Sequence, residues 1–146
     1  MFKAIVWSTD GSEHAQRALP YVKGLAREGG ATITIVHVVE RIEGAGAVGL
    51  PRRADEPELQ AQLKKLAADL SEEGFSVSLV IRGDVGVRPA HEVVEAARDA
   101  GADLIVVGSR GLSTIGGLLL GSVAHRLLHI APCPVLVIPA DPRQRR

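Results

Sequence analysis

The stretch from Asp103 to Ile130 decides the fold of this chain. It reads Asp103-Leu-Ile-Val-Val107, then Gly108-Ser-Arg-Gly111, then nine residues, and then Gly121-Ser122-Val-Ala-His-Arg-Leu-Leu-His-Ile130. The apolar run at its start is rich in β-branched residues and is typical of a buried parallel strand. The last segment predicts an amphipathic helix that begins at Gly121-Ser122.

A glycine-rich loop between a strand and a helix N-terminus is a common way to hold phosphate. Glycine lets the backbone approach a ligand closely and adopt positive φ. The N–H groups and the dipole at the helix start then attract an anion. Ser122 also carries a side-chain oxygen suited to the first helical turn. The sequence therefore predicts a phosphate site here, and an ordinary connection that binds nothing is the alternative.

The loop matches neither of two common phosphate motifs. The dinucleotide fingerprint Gly-x-Gly-x-x-Gly is absent from it. A P-loop has Gly-Lys before its Ser or Thr, whereas this chain has Leu120-Gly121 before Ser122. No lysine follows Lys65, and Arg110 is the one positive residue of the loop. The spacing that fits is Gly-x2-Gly-x9-Gly-[Ser/Thr], which resembles the ATP-binding signature of the universal stress protein family.

The composition indicates one domain of ordinary size. The 146 residues carry no formal net charge and are 46% hydrophobic but only 3% aromatic, so the core must be aliphatic. No basic field argues for a nucleic-acid partner. We place the domain at 1–140 and expect 141–146, a short basic tail, to be disordered.

Cysteine usage and hydropathy bear on the compartment. Cys133 is the single cysteine, so it excludes an internal disulfide and suits a reducing cytoplasm. Its place between two prolines at the start of an apolar run favours a role in the core. We find no signal peptide and no apolar run of about 18 residues. We therefore expect a soluble cytoplasmic protein with no membrane partner.

Five predicted strands alternate with four predicted helices. The strands are 2–8, 31–39, 75–81, 103–107 and 133–138. The helices are the stretch between Ser12 and Gly29, then 58–73, 89–100 and 121–130. Pro20 predicts a kink in the first helix, and we interpret 40–57 as a long loop.

This alternation predicts an open parallel sheet with right-handed crossovers and helices on both faces. The third strand alternates polar with apolar residues and the fifth contains Pro134, so we expect both at sheet edges. Ligands of such sheets bind beyond the carboxyl ends of the strands, where the strand order reverses. If the first and fourth strands are neighbours, Asp10 and the glycine loop face one crevice.

The resemblance to the universal stress protein family covers nearly the whole chain. Its matching segments are 5–12, 35–38, 102–111, 121–123 and 131–137. The resemblance implies an adenine nucleotide alpha hydrolase-like fold with strand order 3-2-1-4-5. It also implies bound ATP, with adenine near the first two strands and the phosphates on the glycine loop. We leave open whether Mg²⁺ accompanies the ATP.

Carried over by position, the resemblance implies a set of binding residues. The backbone of Val38 meets the adenine edge and Asp10 the adenosine side, while the glycines and the start of the last helix hold ribose and phosphates. Ser8 departs from the family, whose ATP-binding members often carry other small residues or proline there. The full set is Ser8, Thr9, Asp10, Val38, Val107, Gly108, Arg110, Gly111, Gly121, Ser122 and Val123.

Two of these residues also have structural interpretations. Asp10 is a candidate helix cap, with Glu13 completing a capping box. Arg110 is equally well explained as a phosphate ligand and as a solvated loop residue.

Metal binding is not expected. His125 and His129 lie four residues apart on a predicted helix, but no nearby acid or cysteine completes a ligand set. Asp84 is better explained as a turn residue.

Three hypotheses for function follow. The first is an ATP-binding regulatory protein without efficient catalysis, which forms a homodimer through Val135, Leu136, Val137 and Ile138 of the fifth strand. The second is a slow ATPase or nucleotide hydrolase on the same scaffold. The third is a partner-binding module that takes no nucleotide.

Overall fold

The fold is taken from a computed structural model. It describes residues 1–44, 49–109 and 120–141, apart from the side chain of His14.

The chain alternates strands and helices, with one short hairpin between two of them. The seven strands in these ranges are β1 (Ala4–Ser8), β2 (Thr32–Val38), β3 (Arg41–Ile42), β4 (Leu50–Pro51), β5 (Ser76–Arg82), β6 (Leu104–Gly108) and β7 (Val135–Ile138). The helices are α1 (Glu13–Gln16), α2 (Leu19–Gly29), α3 (Glu56–Glu72), α4 (Pro89–Asp99) and α5 (Ser122–Ile130).

The main sheet has five parallel strands in the order β5-β2-β1-β6-β7. These are the five strands predicted from the sequence, and their order confirms the predicted 3-2-1-4-5. The half-exposed β5 and the strand β7, which follows Pro134 directly, lie at the two edges, as expected. Strand order reverses between β1 and β6, so the crevice of a doubly wound sheet opens beyond Ser8 and Gly108.

Apolar side chains, mostly aliphatic, fill both faces of the sheet. On one face α2 and α3 pack on residues such as Ile5, Trp7 and Ile35. On the other face α4 and α5 pack on residues such as Val6 and Ile105. The central strands are therefore apolar on both sides, as parallel strands covered by helices must be.

The loop predicted at 40–57 is wrong as an unbroken loop. Residues of β3 and β4 pair antiparallel, with Ile42 opposite Leu50. The following helix begins at Glu56 rather than Glu58, with Pro57 in its first turn. A proline is compatible with that turn because the N–H it lacks would have no intrahelical acceptor. The pairing of two short segments flanking a glycine-rich stretch leaves too weak a periodicity to be seen in sequence.

The kink predicted near Pro20 is a complete break. The first predicted helix divides into α1 and α2, and Pro20 lies in the first turn of α2. Starting a new helix one residue before the proline avoids the lost hydrogen bond and the ring clash of a mid-helix position.

The amino edge of the sheet is closed by its own polar groups. The Asp103 carboxylate accepts hydrogen bonds from the N–H groups of Lys3 (2.9 Å) and Ala4 (3.0 Å). These N–H groups hold the pKa of Asp103 below its usual value. The Lys3 Nζ atom donates to the Gly29 carbonyl at 2.8 Å.

Candidate functional site

A cleft of ≈ 940 Å³ lies at the carboxyl edge of the sheet. Nine of the eleven residues expected to bind a ligand line it, and they come from the ends of three strands and the start of α5. They are Ser8, Thr9, Asp10, Val38, Val107, Gly108, Gly121, Ser122 and Val123. The other two, Arg110 and Gly111, lie outside the described residues.

The turn after β1 is held by local hydrogen bonds. The buried Thr9 donates its N–H to the Val36 carbonyl at 3.0 Å. The Asp10 Oδ1 atom accepts the Ser12 N–H at 2.9 Å, and the Ser12 hydroxyl oxygen accepts the Ala15 N–H at 3.2 Å. Gly11 supplies the positive φ, +78°, that the turn requires.

The capping box proposed for Asp10 and Glu13 is therefore wrong. Ser12 is the N-cap of α1, and Glu13 is the first helical residue instead of the third. Asp10 lies outside the helix and bonds the backbone two residues on, as Asp commonly does in turns. The turn at Gly11 places Ser12, and not Asp10, at the start of the helix.

A buried histidine and a buried glutamate support this turn from below. The His37 Nε2 atom lies 2.9 Å and 3.0 Å from the two carboxyl oxygens of Glu56, and its Nδ1 atom lies 3.3 Å from the Thr9 carbonyl. The side chains are 2% and 4% exposed. Gln60 donates a further hydrogen bond to Glu56 at 3.0 Å. The pair thus ties β2, the β1 turn and the start of α3 together.

The polar atoms of this pair are matched by their neighbours. A carbonyl oxygen only accepts hydrogen bonds, so the Thr9 carbonyl suits an N–H on His37 Nδ1, and the Glu56 carboxyl group faces Nε2. Hydrogen bonding thus compensates the burial of both side chains.

Arg53 makes a second tie to the same turn. Its Nη1 atom donates to the Asp10 carbonyl at 2.6 Å, and its Nε and Nη2 atoms donate to the Asp55 carboxylate at 3.0 Å and 2.8 Å. The hydrogen-bonded guanidinium holds the pKa of Asp55 below its usual value. The segment between β4 and α3 is therefore fastened to the end of β1.

The two ends of the glycine-rich segment meet at one hydrogen bond. The Gly121 N–H donates to the Ser109 carbonyl at 2.5 Å. Ser109 is itself buried, with its N–H on the Ile138 carbonyl (2.8 Å) and its hydroxyl accepting the Ala140 N–H (3.0 Å). Ser122 and Val123 then begin α5, where the first N–H groups have no intrahelical acceptor. The N-terminus of α5 therefore lies at the cleft, and the hydrogen bonds of Ser109 and Gly121 hold it in place.

The opposite side of the cleft carries basic residues that the sequence did not indicate. Arg88 is the N-cap of α4, and Arg126 lies one turn after Ser122 on α5. Both are exposed and line the cleft, together with His91 and His125. Within the described chain, the buried Nδ1 atom of His91 has no hydrogen-bond partner. The sequence could not place Arg88 and Arg126 together, because they are far apart along the chain and only the packing of α4 on α5 brings them to one side of the cleft.

The residues considered as metal ligands lie on α5 and in the turn after β5. The rings of His125 and His129 lie 5.0 Å apart in a T-shaped arrangement on the exposed side of α5. Asp84 accepts the N–H of Val85 at 2.7 Å, within the turn after β5. Over 1–44, 49–109 and 120–141, no group of three His, Cys, Asp or Glu side chains could hold a metal ion.

Two further expectations from the sequence concern Cys133 and membrane-spanning helices. Cys133 is half-buried against the α4–α5 core, and burial raises the pKa of its thiol. None of the helices described above is both long and apolar enough to cross a membrane.

Comparisons with known proteins identify relatives along the length of the chain. The model of the universal stress protein family matches residues 1–139. The Thermus aquaticus protein named "universal stress protein in QAH/OAS sulfhydrylase 3′ region" is 37% identical over 144 residues, which cover 94% of this chain and 99% of the relative.

Solved structures of similar proteins share the fold. A universal stress protein in complex with cAMP has a TM-score of 0.64 and 28% identity, over 94% of this chain and 97% of its own. The universal stress protein from Archaeoglobus fulgidus in complex with dAMP has a TM-score of 0.65 and 25% identity, over 94% and 98%. Adenine nucleotides thus bind to two proteins of similar fold.

Proposed function

Because this chain belongs to the universal stress protein family, we propose that it is a regulatory protein that binds ATP in the cleft at the carboxyl edge of its sheet. One observation carries the proposal: nine residues expected to bind a nucleotide come from four distant parts of the sequence and line a single cleft. Two relatives in complex with cAMP and dAMP support an adenine nucleotide as the ligand class.

The shape of the cleft suggests how the nucleotide lies. Val38 ends β2 and offers its backbone to the adenine edge, while the Thr9–Asp10 turn lies beside the adenosine. Gly121, Ser122 and Val123 place the first turn of α5 at the phosphates. An anion there is stabilised by free N–H groups and by the helix dipole.

The proposed activity is binding and not efficient hydrolysis. Phosphoryl transfer is accelerated by cations that offset charge on the transferring oxygens and by a group that positions the nucleophile. No lysine follows Lys65 in the sequence, so a P-loop type of lysine is not available. Purified protein should release inorganic phosphate from ATP slowly or not at all, and rapid release would support the hydrolase hypothesis instead.

The test of binding is the variant Gly121→Val. The φ and ψ of Gly121, −69° and 164°, are extended and suit any residue, so valine fits the backbone and adds bulk at the phosphate position. Isothermal titration calorimetry with ATP should show binding by the wild type and its loss in the variant. Repeating the titration with and without Mg²⁺ tests whether the ion accompanies ATP.

A matched control is Gly24→Val, the same substitution on α2, where a new Cβ would meet nothing within 4 Å. It should leave ATP affinity unchanged. Unaltered affinity in a folded Gly121→Val protein would remove the proposed site. Retained binding by the control together with loss in Gly121→Val excludes a general effect of valine on stability.

We also propose a homodimer through β7. This strand is at the edge of the sheet, and Val135, Leu136 and Val137 are half-buried. The Pro134 and Ile138 carbonyls accept from Ile105 and Ser109 of the β6 segment. Since backbone groups alternate sides along a strand, the N–H groups of Val135 and Val137 point outward and can pair with a second copy.

The test of the dimer is Val137→Pro. Proline removes one outward donor but none of the bonds to β6, and an edge strand tolerates it on that side. Light scattering should give a dimer mass for the wild type and a monomer mass for the variant. A monomeric wild type, or a variant that remains a dimer, would count against pairing through this strand.

A further inference from the structure

The arginines with a side-chain interaction and those without one lie in different parts of the molecule. Among the arginines in 1–44, 49–109 and 120–141, six have a partner for the side chain: Arg17, Arg27, Arg41, Arg53, Arg82 and Arg98. For Arg41 that partner is the backbone carbonyl of Gly49. The other three, Arg52, Arg88 and Arg126, have none within those ranges, and all three line the cleft. Five of the six partnered arginines lie elsewhere, so the described arginines without a partner are gathered at the cleft.

The acidic residues of the cleft lie on one side only. Asp10, Glu40 and Glu56 line it from the β1 turn and the hairpin side. We call this side, with His37 and Arg53, the hairpin wall. The side formed by Arg88, His91, His125 and Arg126 of α4 and α5 is called the helix wall, and the structure shows no acidic residue lining the cleft there. A negative ligand group on the helix wall thus meets basic side chains and no carboxylate among the described residues that line the cleft on that side.

The helix wall adjoins the position proposed for the phosphates. Arg126 follows Ser122 by one helical turn, and the two residues share one side of α5. Because α4 packs against α5, the start of α4 with Arg88 belongs to the same wall. Arginine is well suited to phosphate, since its planar guanidinium donates two parallel hydrogen bonds to a pair of oxygens.

We propose that Arg88 and Arg126 form a polyphosphate subsite that makes the cleft prefer nucleoside triphosphates to nucleoside monophosphates and cyclic monophosphates. This inference rests on the proposed nucleotide site and adds its selectivity. A monophosphate satisfies the first turn of α5 alone, whereas a triphosphate carries further charge that reaches the guanidinium groups. The two arginines are specificity-determining residues and are outside the glycine motif.

The test is a comparison of ligands and variants by isothermal titration calorimetry. Wild-type protein is titrated with ATP, AMP and cyclic AMP, and the series is repeated with Arg88→Gln, Arg126→Gln and the double variant. The matched control is Arg98→Gln, on α4, whose side chain pairs with the exposed Glu95 at 3.0 Å and does not line the cleft.

We expect ATP to bind the wild type more tightly than AMP or cyclic AMP. The double variant should lose about tenfold or more in ATP affinity while AMP affinity changes little, since each lost charge-assisted bond is worth about a factor of ten. The control should preserve both affinities. Increasing salt should weaken ATP binding more steeply in the wild type than in the double variant.

Three outcomes would overturn the inference: equal ATP and AMP affinities in the wild type, an unchanged ratio in the double variant, or equal losses for all three ligands. Failure of the proposed function is distinguishable, because then no adenine nucleotide binds the wild type. Inorganic tripolyphosphate probes the helix wall without adenine. Its binding should be lost in the double variant, and binding that persists there would place the phosphate site elsewhere.

Discussion

The two walls of the cleft use polar residues in opposite ways. On the hairpin wall His37, Glu56 and Arg53 are spent on one another, on backbone carbonyls and on neighbouring side chains. On the helix wall Arg88 and Arg126 have no side-chain partner within the described chain, and they face the cleft. The contrast indicates that the polar residues of the hairpin wall stabilise the structure of the site, whereas the arginines of the helix wall are available to bind a ligand. Substitutions on the first should cost stability, and those on the second should cost binding.

The largest effect on stability is expected for Glu56→Ala. Removing the carboxyl group leaves the buried His37 Nε2 with no partner, which costs about 1–3 kcal/mol, and truncating a buried side chain adds the cost of a cavity. The free energy of unfolding from urea titration measures the loss.

The control for Glu56→Ala is Glu58→Ala, in the same first turn of α3 but exposed. It should change the free energy of unfolding by less than about 0.5 kcal/mol. If the two variants were equally stable, the hairpin wall would not be the structural side of the cleft.

An intermediate effect is expected for Arg53→Gln, with its sequence neighbour as the comparison. Arg53 donates to the Asp10 carbonyl and to Asp55, so its loss should lower the free energy of unfolding by about 1–2 kcal/mol. Arg52 is exposed and has no side-chain partner in the part of the chain described, so Arg52→Gln should be nearly neutral. Urea titrations of both variants decide, and a larger loss for Arg52→Gln would reverse the assignment of roles.

The smallest effect is expected from the pH dependence of Asp55. Its pKa in the folded protein is lowered by the hydrogen bond from Arg53, so the carboxylate favours folding at pH values above its ordinary pKa. That contribution disappears as the pH falls through the lowered pKa. Wild-type stability should therefore exceed that of Asp55→Asn near neutral pH, and the difference should shrink as acid is added.

Urea titrations of the two proteins from about pH 6 to pH 2 measure this change in the difference. A difference that stays constant over that range would show that Asp55 does not titrate with its partner intact.

The sheet was predictable because each of its strands carries a strong local signal. Apolar β-branched runs such as 103–107 are typical of buried strands. The edge positions of the third and fifth strands followed from the alternation in 75–81 and from Pro134. The hairpin of β3 and β4 was missed because two-residue strands leave no periodicity. The exact cap at Ser12 was missed because it depends on the backbone at Gly11, which local residue types do not specify.

The site residues at the ends of strands were predictable, whereas contacts between segments distant in sequence were not. Residues at strand ends, such as Asp10 and Val38, were expected because all carboxyl ends of a parallel sheet meet at one edge. The pairing of His37 with Glu56 joins residues nineteen positions apart across a hairpin that the sequence did not reveal. Arg88 and Arg126 meet only through the packing of α4 on α5, which is tertiary information.

The hydrogen bond from Gly121 to Ser109 also affects how freely the intervening sequence can change. The bond joins the end of β6 to the start of α5 through residues outside the intervening segment. Lengthening a closed loop adds little entropic cost, about 0.6 kcal/mol for each doubling. We therefore expect β6 and α5 to keep their places when the number of residues between Ser109 and Gly121 is changed.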